Sequence, residues 1–86
     1  MGKLSDLPNI CNVLENELIE VGIHSPEELQ AIGTENAFIR IMAINETACT
    51  NKLYAIEGAI QSIRWHNLPA DRKAELREFF RMKKIQ

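Results

Sequence analysis

Four side chains in the sequence are of the types that ligate a metal ion through nitrogen or sulfur: His24, His66, Cys11 and Cys49. No two of them have the short spacing that lets a single turn or helix present a pair of ligands. We therefore expect neither a metal site nor a cofactor. Two cysteines are too few for a disulfide-stapled scaffold, so we predict free, buried thiols.

One acidic residue lies at the expected border of the core. Glu57 falls between Leu53 and Ile60 on a predicted helix. A buried carboxyl group with a raised pKa can act as a general acid. Alternatively, Glu57 accepts hydrogen bonds from the turn at Trp65 and His66 and fixes where the last helix begins. We favour this structural role. Because the sequence also lacks a phosphate-binding glycine loop, a nucleophile elbow and a His-Glu-x-x-His motif, we expect no enzyme.

The basic residues cluster near the end of the chain. Arg72, Lys73 and Arg77 share part of a helix face that could contact phosphates or an acidic protein, but Glu75 and Glu78 interleave with them. Such mixed charge is typical of a solvated surface, which we favour. Without neighbouring exposed aromatic residues the cluster is a poor site for stacking single-stranded bases. The candidate basic surface consists of Arg72, Lys73, Arg77, Arg81, Lys83 and Lys84.

A second candidate site lies near the start of the chain. The residues from Leu7 to Leu29 resemble a helix-hairpin-helix, with a candidate contact at Pro8, Asn9, Ile10 and Cys11. In DNA-binding hairpins, backbone N–H groups at a helix N-terminus meet a phosphate, and glycines let the backbone approach it. Here the turn reads Asn9, Ile10, Cys11 and contains no glycine. The motif therefore indicates an architecture more than an activity.

Charge is divided unequally along the chain. The total is −2, but residues 1–36 carry −6 and residues 37–86 carry +4. Since cations supply much of the affinity for phosphate, the acidic hairpin half disfavours nucleic acid, and we expect a protein partner. Apolar residues left exposed on the hairpin would favour a homodimer. No apolar run approaches the ~20 residues that span a bilayer, so we expect no membrane contact and a cytoplasmic protein.

Helical periodicity and capping residues predict where the elements lie. A first helix begins near residues 8–11 and ends at Gly22; its apolar face consists of Ile10, Val13, Leu14, Leu18 and Val21. In the second helix, Ser25 is the cap, Pro26 opens the first turn and Glu28 completes a capping box, until Gly33 ends it. The face of this helix consists of Leu29 and Ile32.

Three more helices complete the predicted architecture. Thr34 caps a third helix, and the fourth, from about Thr50, is the longest and lies at the centre of the core. Gly58 within it predicts a close helix crossing, because a helical glycine costs about 1 kcal/mol relative to alanine. Pro69 opens the fifth helix. The remaining core positions are Ala37, Phe38, Ile41, Met42, Leu53, Ile56, Ile60, Ile63, Leu76, Phe79 and Phe80.

Two pairs of segments carry a family resemblance. They are residues 7–10 (LPNI) with 21–29 (VGIHSPEEL), and residues 53–60 (LYAIEGAI) with 65–69 (WHNLP). Together they resemble the C-terminal domain of the TfoX/Sxy family of bacterial competence regulators, over residues 7–80. The resemblance implies an all-helical, helix-hairpin-helix (SAM-like) fold, a link to the regulation of competence genes, and no known reaction.

Two departures from the family pattern accompany the resemblance. Many members have glycine after the hairpin isoleucine, where this chain has Cys11, and many carry a separate N-terminal domain. The chain is then either a single-domain relative or a fragment. We predict one all-α domain over residues 1–86, with about five short helices, that acts as a non-catalytic regulatory module through protein contacts. A weak, sequence-nonspecific DNA-binding hairpin is the alternative.

Overall fold

A computed structural model describes residues 3–85 of the 86-residue chain, with side chains through residue 83. Residues 3–85 contain no β-strand, so the predicted all-α class is confirmed. Single turns of 3-10 helix lie at Leu4–Asp6 and Trp65–Asn67. The five α-helices are α1 (Asn12–Glu20), α2 (Pro26–Ile32), α3 (Thr34–Ile44), α4 (Thr50–Gln61) and α5 (Ala70–Ile85).

Helix α1 ends at the predicted glycine. Gly22 has a φ of 92°, in the left-handed region that a residue without a Cβ adopts at little cost. The Ile23 N–H donates to the Leu18 carbonyl at 2.8 Å, and the Gly22 N–H donates to the Ile19 carbonyl at 3.0 Å. These two bonds form a Schellman motif, which satisfies the last carbonyls of the helix and turns the chain toward α2.

Helices α2 and α3 are separated by one glycine. The Ser25 hydroxyl accepts from the Glu28 N–H at 3.2 Å, as predicted, but the Glu28 carboxylate accepts from the His24 N–H instead of the Ser25 N–H. Gly33, with a φ of 89°, ends α2 and is also the N-cap of α3. The prediction that Thr34 caps α3 is therefore wrong. Thr34 is the first helical residue, and its buried hydroxyl is used elsewhere.

Helix α4 lies at the centre of the core, as predicted. It packs against α2, α3, α5 and the second 3-10 turn. Its buried apolar residues meet those of the surrounding helices, and the Phe38 and Phe80 rings approach to 5.9 Å between centroids. The largest fully buried side chains are Leu4, Leu18, Ile23, Leu29, Phe38, Ile41, Leu53, Ile56 and Leu76.

Two predictions about the helices are wrong. Val13 is 64% exposed, because α1 begins only at Asn12 and Val13 lies about 100° around the helix from Leu14, outside the buried stripe.

The longest helix is α5, with 16 residues against 12 in α4. No glycine or proline interrupts the sequence after Pro69, and good helix formers carry α5 beyond its last core residue.

The two cysteines are free, but both are exposed, not buried as predicted. Cys11 is the N-cap of α1 and Cys49 is the N-cap of α4. A helix start leaves backbone N–H groups without intrahelical partners, so such positions lie where water can reach them. Their place at helix starts explains the exposure.

Candidate functional site

Of the predicted hairpin contact, Ile10 is buried, Pro8 and Asn9 are half-buried and Cys11 is exposed. Asn9 has a φ of 71°, a left-handed conformation that asparagine adopts more readily than most residues. Its amide nitrogen donates to the Ile63 carbonyl at 2.9 Å, and its amide oxygen accepts from the Trp65 N–H at 3.2 Å. We call Asn9, Gly58, Ile63 and Trp65 the Asn9 junction. It joins the turn before α1 to the turn after α4.

Gly58 leaves the space that the Asn9 side chain fills. A Cβ at this position would lie 2.5 Å from the Asn9 amide nitrogen and 2.7 Å from the Ile63 carbonyl oxygen. The close approach that the sequence predicts at Gly58 is confirmed. The prediction that a helix crosses there is wrong, because the approaching groups are an asparagine side chain and the backbone of the following turn.

The Glu57 carboxylate lies on α4 beside Gly58 and is only 7% exposed. It accepts from the Thr34 hydroxyl at 2.6 Å, from Arg72 Nη2 at 2.8 Å and from the Gln61 amide. Arg72 Nη1 lies 3.1 Å from Glu35, so one guanidinium binds two carboxylates. We call Glu57, Thr34, Gln61, Arg72 and Glu35 the Glu57 cluster. It joins α3, α4 and α5.

The surroundings of Glu57 keep it ionised. Burial raises the pKa of its carboxyl group. Hydrogen bonds from Arg72, Thr34 and Gln61, together with the charge of Arg72, lower the pKa by more than burial raises it. The pKa therefore lies below its usual value. The hydrogen bond to Glu57 raises the pKa of Arg72. A general acid at Glu57 would need a raised pKa, and the pKa is lowered instead. The general-acid interpretation of Glu57 is therefore wrong.

The structural role predicted for Glu57 has different partners from those expected. The turn at Trp65 and His66 donates no hydrogen bond to it, since the Trp65 N–H is taken by Asn9. Thr34, the helix cap expected from sequence, is a donor instead. A contact between residues 23 positions apart has no local signature, so only the fold could reveal it.

The second 3-10 turn presents an aromatic stack. The Trp65 and His66 rings stack with their centroids 4.0 Å apart and an interplanar angle of 27°. The buried Tyr54 ring lies 5.6 Å from Trp65, at 21°. Lys73 donates to the His66 carbonyl at 3.2 Å, and its ammonium lies 5.7 Å from the Trp65 ring centroid, within cation–π range. We call Tyr54, Trp65 and His66 the aromatic stack.

The six residues of the candidate basic surface have different surroundings. Arg72 belongs to the Glu57 cluster, and Arg81 pairs with Glu78 on α5. Lys83 lies 5.8 Å from the centroid of the Phe79 ring. Lys73 lies beside the aromatic stack, and Arg77 lies one turn later on α5 and is exposed. The Lys84 side chain lies outside the described part of the chain.

One polar contact that sequence reasoning missed joins α1 to the start of α4. The Glu17 carboxylate accepts from the Asn45 amide at 2.8 Å and from the Lys52 ammonium. The side chains of Glu17 and Lys52 are only 12% and 18% exposed. The contact spans 28 and 35 positions, too far apart for any helix-periodic charge pattern to signal it.

The described residues give little support to a metal site or a ligand pocket. Residues 3–83 bring together no group of three or more histidine, cysteine, aspartate or glutamate side chains able to hold a metal ion. His24 lies 3.6 Å from Glu28, an exposed pair within one helix start. No pocket opens in this part of the structure. Every buried side-chain nitrogen or oxygen in it has a hydrogen-bond partner.

Several large apolar side chains lie at the surface. Val13 and Ile19 on α1 and Ile39 and Ile44 on α3 are 39–64% exposed, as is Met82 on α5 at 51%. Between residues 3 and 85 no helix is long and apolar enough to cross a membrane.

Comparison with known proteins gives a consistent match. A family model described as the TfoX C-terminal domain matches residues 1–80. Protein Sxy of Escherichia coli (strain K12) is 36% identical over 77 residues, which cover 90% of this chain and 37% of Protein Sxy. The chain thus spans little more than a third of the length of that relative.

Two solved structures have the same fold. A crystal structure of an uncharacterized protein from Listeria monocytogenes, in a triclinic form, superposes with a TM-score of 0.95 at 46% identity and covers 96% of this chain and 94% of that one. A protein of unknown function from Listeria monocytogenes, in a tetragonal form, gives a TM-score of 0.89 at 47% identity and covers 91% and 96%.

Proposed function

Because the chain belongs to the TfoX C-terminal domain family, we propose that it is a non-catalytic regulatory module that acts through contact with another protein. The family is related to competence regulation. The match covers only 37% of Protein Sxy, so the family alone does not give this chain the role of the whole relative. We include a role in controlling competence genes in the proposal.

The exposed aliphatic side chains of α1 and α3 carry the proposal. Val13 is 64% exposed, and Ile19 and Ile44 are each 44% exposed. Exposed acidic residues lie close to them in sequence, with Glu20 after Ile19 and Glu46 after Ile44. Arg40, exposed on α3 one turn before Ile44, adds a cation to this border. Exposed apolar side chains with a charged border are typical of a protein-binding surface. The partner that fits is a protein surface with apolar residues and a rim of complementary charge.

The non-catalytic part of the proposal is supported by the interior. The carboxylate best placed for chemistry, Glu57, is held ionised by Arg72, and its partners leave it without a substrate-facing pocket in the described residues. Asn9 and Glu57, two polar residues of the motif segments, bind groups on other elements of the fold. They serve to hold helices together.

The hairpin alternative has less support. Asn9, the most polar residue of the candidate phosphate contact, uses both ends of its amide inside the Asn9 junction. Glu15 lies in the first turn of α1 and accepts from the Ser5 N–H at 3.2 Å. A carboxylate at this helix N-terminus occupies the place where a phosphate would need positive potential.

The protein-contact proposal is tested by site-specific photo-crosslinking in the bacterium that carries the chain. A photoreactive residue replaces Val13, and a matched control replaces Ala74, which is exposed on α5. The proposal predicts an adduct to a different protein from position 13 and none from position 74. Equal adducts at both positions, or none, would contradict it, and an adduct of twice the chain's mass would indicate a homodimer instead.

A functional readout accompanies the crosslinking. Val13→Asp and Ile44→Asp should lower transcript levels of DNA-uptake genes without changing the unfolding temperature much, because both positions are exposed. The control Ala31→Asp, at an exposed position on α2, should leave transcript levels unchanged. Unchanged transcripts in the first two variants would contradict a regulatory role for this surface.

A further inference from the structure

The surface beside the second 3-10 turn combines open aromatic and cationic groups. His66 is an exposed ring stacked on Trp65, which in turn packs against the buried Tyr54 ring. A ring held in place from below presents a flat surface at little further cost in side-chain entropy. Planar, exposed rings of this kind are where unpaired bases stack.

Cations border this surface. Lys73 lies over the Trp65 ring and donates one hydrogen bond to the His66 carbonyl, which leaves two of its ammonium protons for other acceptors. Arg77 follows one helical turn later and Arg64 directly precedes Trp65, and both are exposed. In the described residues neither arginine is paired with a carboxylate. We call Arg64, Lys73 and Arg77 the cationic rim.

The acidic residues of α5 do not cancel this rim. The first of them, Asp71, lies about 160° around the helix from Lys73 and accepts from the Arg72 N–H. Glu75 lies two residues after Lys73, about 200° around the helix, and therefore faces away from it. It lies 3.5 Å from Arg72, while Glu78 binds Arg81. Sequence order suggested a mixed, solvated surface, but the helix separates the charges by face. The carboxylates pair with the other two arginines, and Lys73 and Arg77 remain on their own side.

We propose that the aromatic stack and the cationic rim form a binding site for single-stranded nucleic acid. One base stacks on His66, and the adjoining phosphates meet Lys73, Arg77 and Arg64. The site lies on the second 3-10 turn and α5, so it does not depend on the proposed protein contact of α1 and α3. A rigid duplex keeps its bases stacked on one another and cannot offer one to the ring, so a single strand is preferred.

The sequence supplies a direct reporter. Trp65 is the only tryptophan in the chain, so its fluorescence reports on the ring that His66 covers. An oligothymidylate of about ten nucleotides, within the range of known single-strand sites, is titrated into the intact chain at low and moderate salt. The proposal predicts a saturable change in Trp65 emission and binding that weakens as salt rises. An oligouridylate of equal length identifies whether DNA or RNA binds more tightly, and binding of either supports the site.

Variants separate stacking from charge. His66→Ala should weaken binding about tenfold, and His66→Phe should largely restore it, because the phenyl ring keeps the flat surface. Lys73→Gln and Arg77→Gln should each weaken binding and lower its salt dependence. Arg81→Gln is the matched control, because it makes the same change on the same helix at an arginine that is already paired with Glu78. Its binding should be unchanged. Fluorescence anisotropy of a labelled strand provides the measurement where a variant alters Trp65 emission.

Four results would overturn the proposal. They are no binding at low salt, equal binding of a strand whose central nucleotides lack bases, tighter binding of a duplex, and an equal response to polyglutamate. Equal binding of the abasic strand would mean that only phosphates are recognised, and the polyglutamate response would indicate an acidic protein as the ligand. A normal circular dichroism spectrum and unfolding temperature for each variant ensure that lost binding is not lost folding.

Discussion

The two sides of the turn between α4 and α5 use their polar residues in opposite ways. On the inner side, both ends of the Asn9 amide and both oxygens of the Glu57 carboxylate have hydrogen-bond partners within the fold. On the outer side, the aromatic stack and the cationic rim keep an exposed ring and exposed cations. Trp65 belongs to both sides: Asn9 holds its backbone N–H, and its ring stacks with His66.

This contrast shows that residue type is a poor guide to function in this domain. Asn9 and Glu57 are the residues that a sequence would nominate for phosphate contact or acid catalysis, yet the fold uses them to join helices. His66 and Arg77, which look structural or merely solvated in sequence, have groups open to a ligand. Changes on the inner side should therefore alter stability, and changes on the outer side should alter binding.

The largest effect is expected for Arg72→Met. It leaves the Glu57 carboxylate, 7% exposed, without its cation, which should lower the free energy of unfolding by about 3 kcal/mol at neutral pH. Urea denaturation measures the change. The double variant Arg72→Met with Glu57→Gln should regain part of the loss, since no buried charge remains. A double variant as unstable as Arg72→Met alone would show that the ion pair is not what Arg72 contributes.

Gly58→Ala is expected to cost about 2 kcal/mol, because the new methyl group overlaps the Asn9 amide and the Ile63 carbonyl. Gly22→Ala is the matched control. Its added Cβ would meet nothing closer than 3.9 Å, but its φ is 92°, so it should cost only about 1 kcal/mol through backbone strain. Thermal unfolding of both variants checks the order. The reverse order would mean that the Asn9 junction adapts without loss.

Asn9→Gly should lower the free energy of unfolding by about 1 kcal/mol, because it removes two hydrogen bonds and keeps the left-handed conformation. Asn9→Ala should cost about 1 kcal/mol more, because alanine disfavours a φ of 71°. Equal stability of Asn9→Gly and the parent chain in urea denaturation would contradict the junction's structural role.

The pH dependence of stability tests the Glu57 cluster in another way. Because the folded-state pKa of Glu57 is lowered from its ordinary value of 4.5, its contribution is fully present above that value and is lost as the pH falls through the folded-state pKa. The stability gap between the parent chain and Glu57→Gln should therefore be constant near neutral pH and shrink in acid. Urea titrations over this range measure it, and a gap that grows in acid would contradict the lowered pKa.

The smallest effects on stability are expected on the outer side. His66→Ala and Arg77→Gln change exposed side chains and should alter the free energy of unfolding by about 0.5 kcal/mol or less. Their effect should appear in strand binding instead. A loss of stability as large as that of Asn9→Gly would remove the contrast between the two sides.

Much of the fold could be predicted from sequence because its signals are local. Gly22 and Gly33 end helices, Ser25 and Pro26 begin one, and the apolar repeat of α4 places it in the core. These features depend on neighbours within one or two helical turns. The errors at Val13 and Thr34 lie at helix starts. Ile10, the residue one turn before Val13 that set its predicted face, precedes α1, and Thr34 is the first helical residue of α3 and not its cap.

The contacts of the candidate sites could not be predicted in the same way. Asn9 meets Ile63 across 54 positions, and Glu57 meets Thr34 across 23. Each pairing depends on how three separate elements pack, and no spacing in the sequence encodes it. Gly58 was the one signal, since a glycine within a helix indicates a close approach, although it could not name Asn9 as the approaching residue.

The most direct test of the claim that the inner side is structural is the pKa of the Glu57 carboxyl group in the folded chain. Carbon-13 NMR of the glutamate side-chain carboxyl carbons, with Glu57→Gln to assign the resonance, follows its titration. We expect a midpoint below 4.5, because Arg72, Thr34 and Gln61 all stabilise the ionised form. A midpoint above 4.5 would contradict it and would restore a proton-donating role for Glu57.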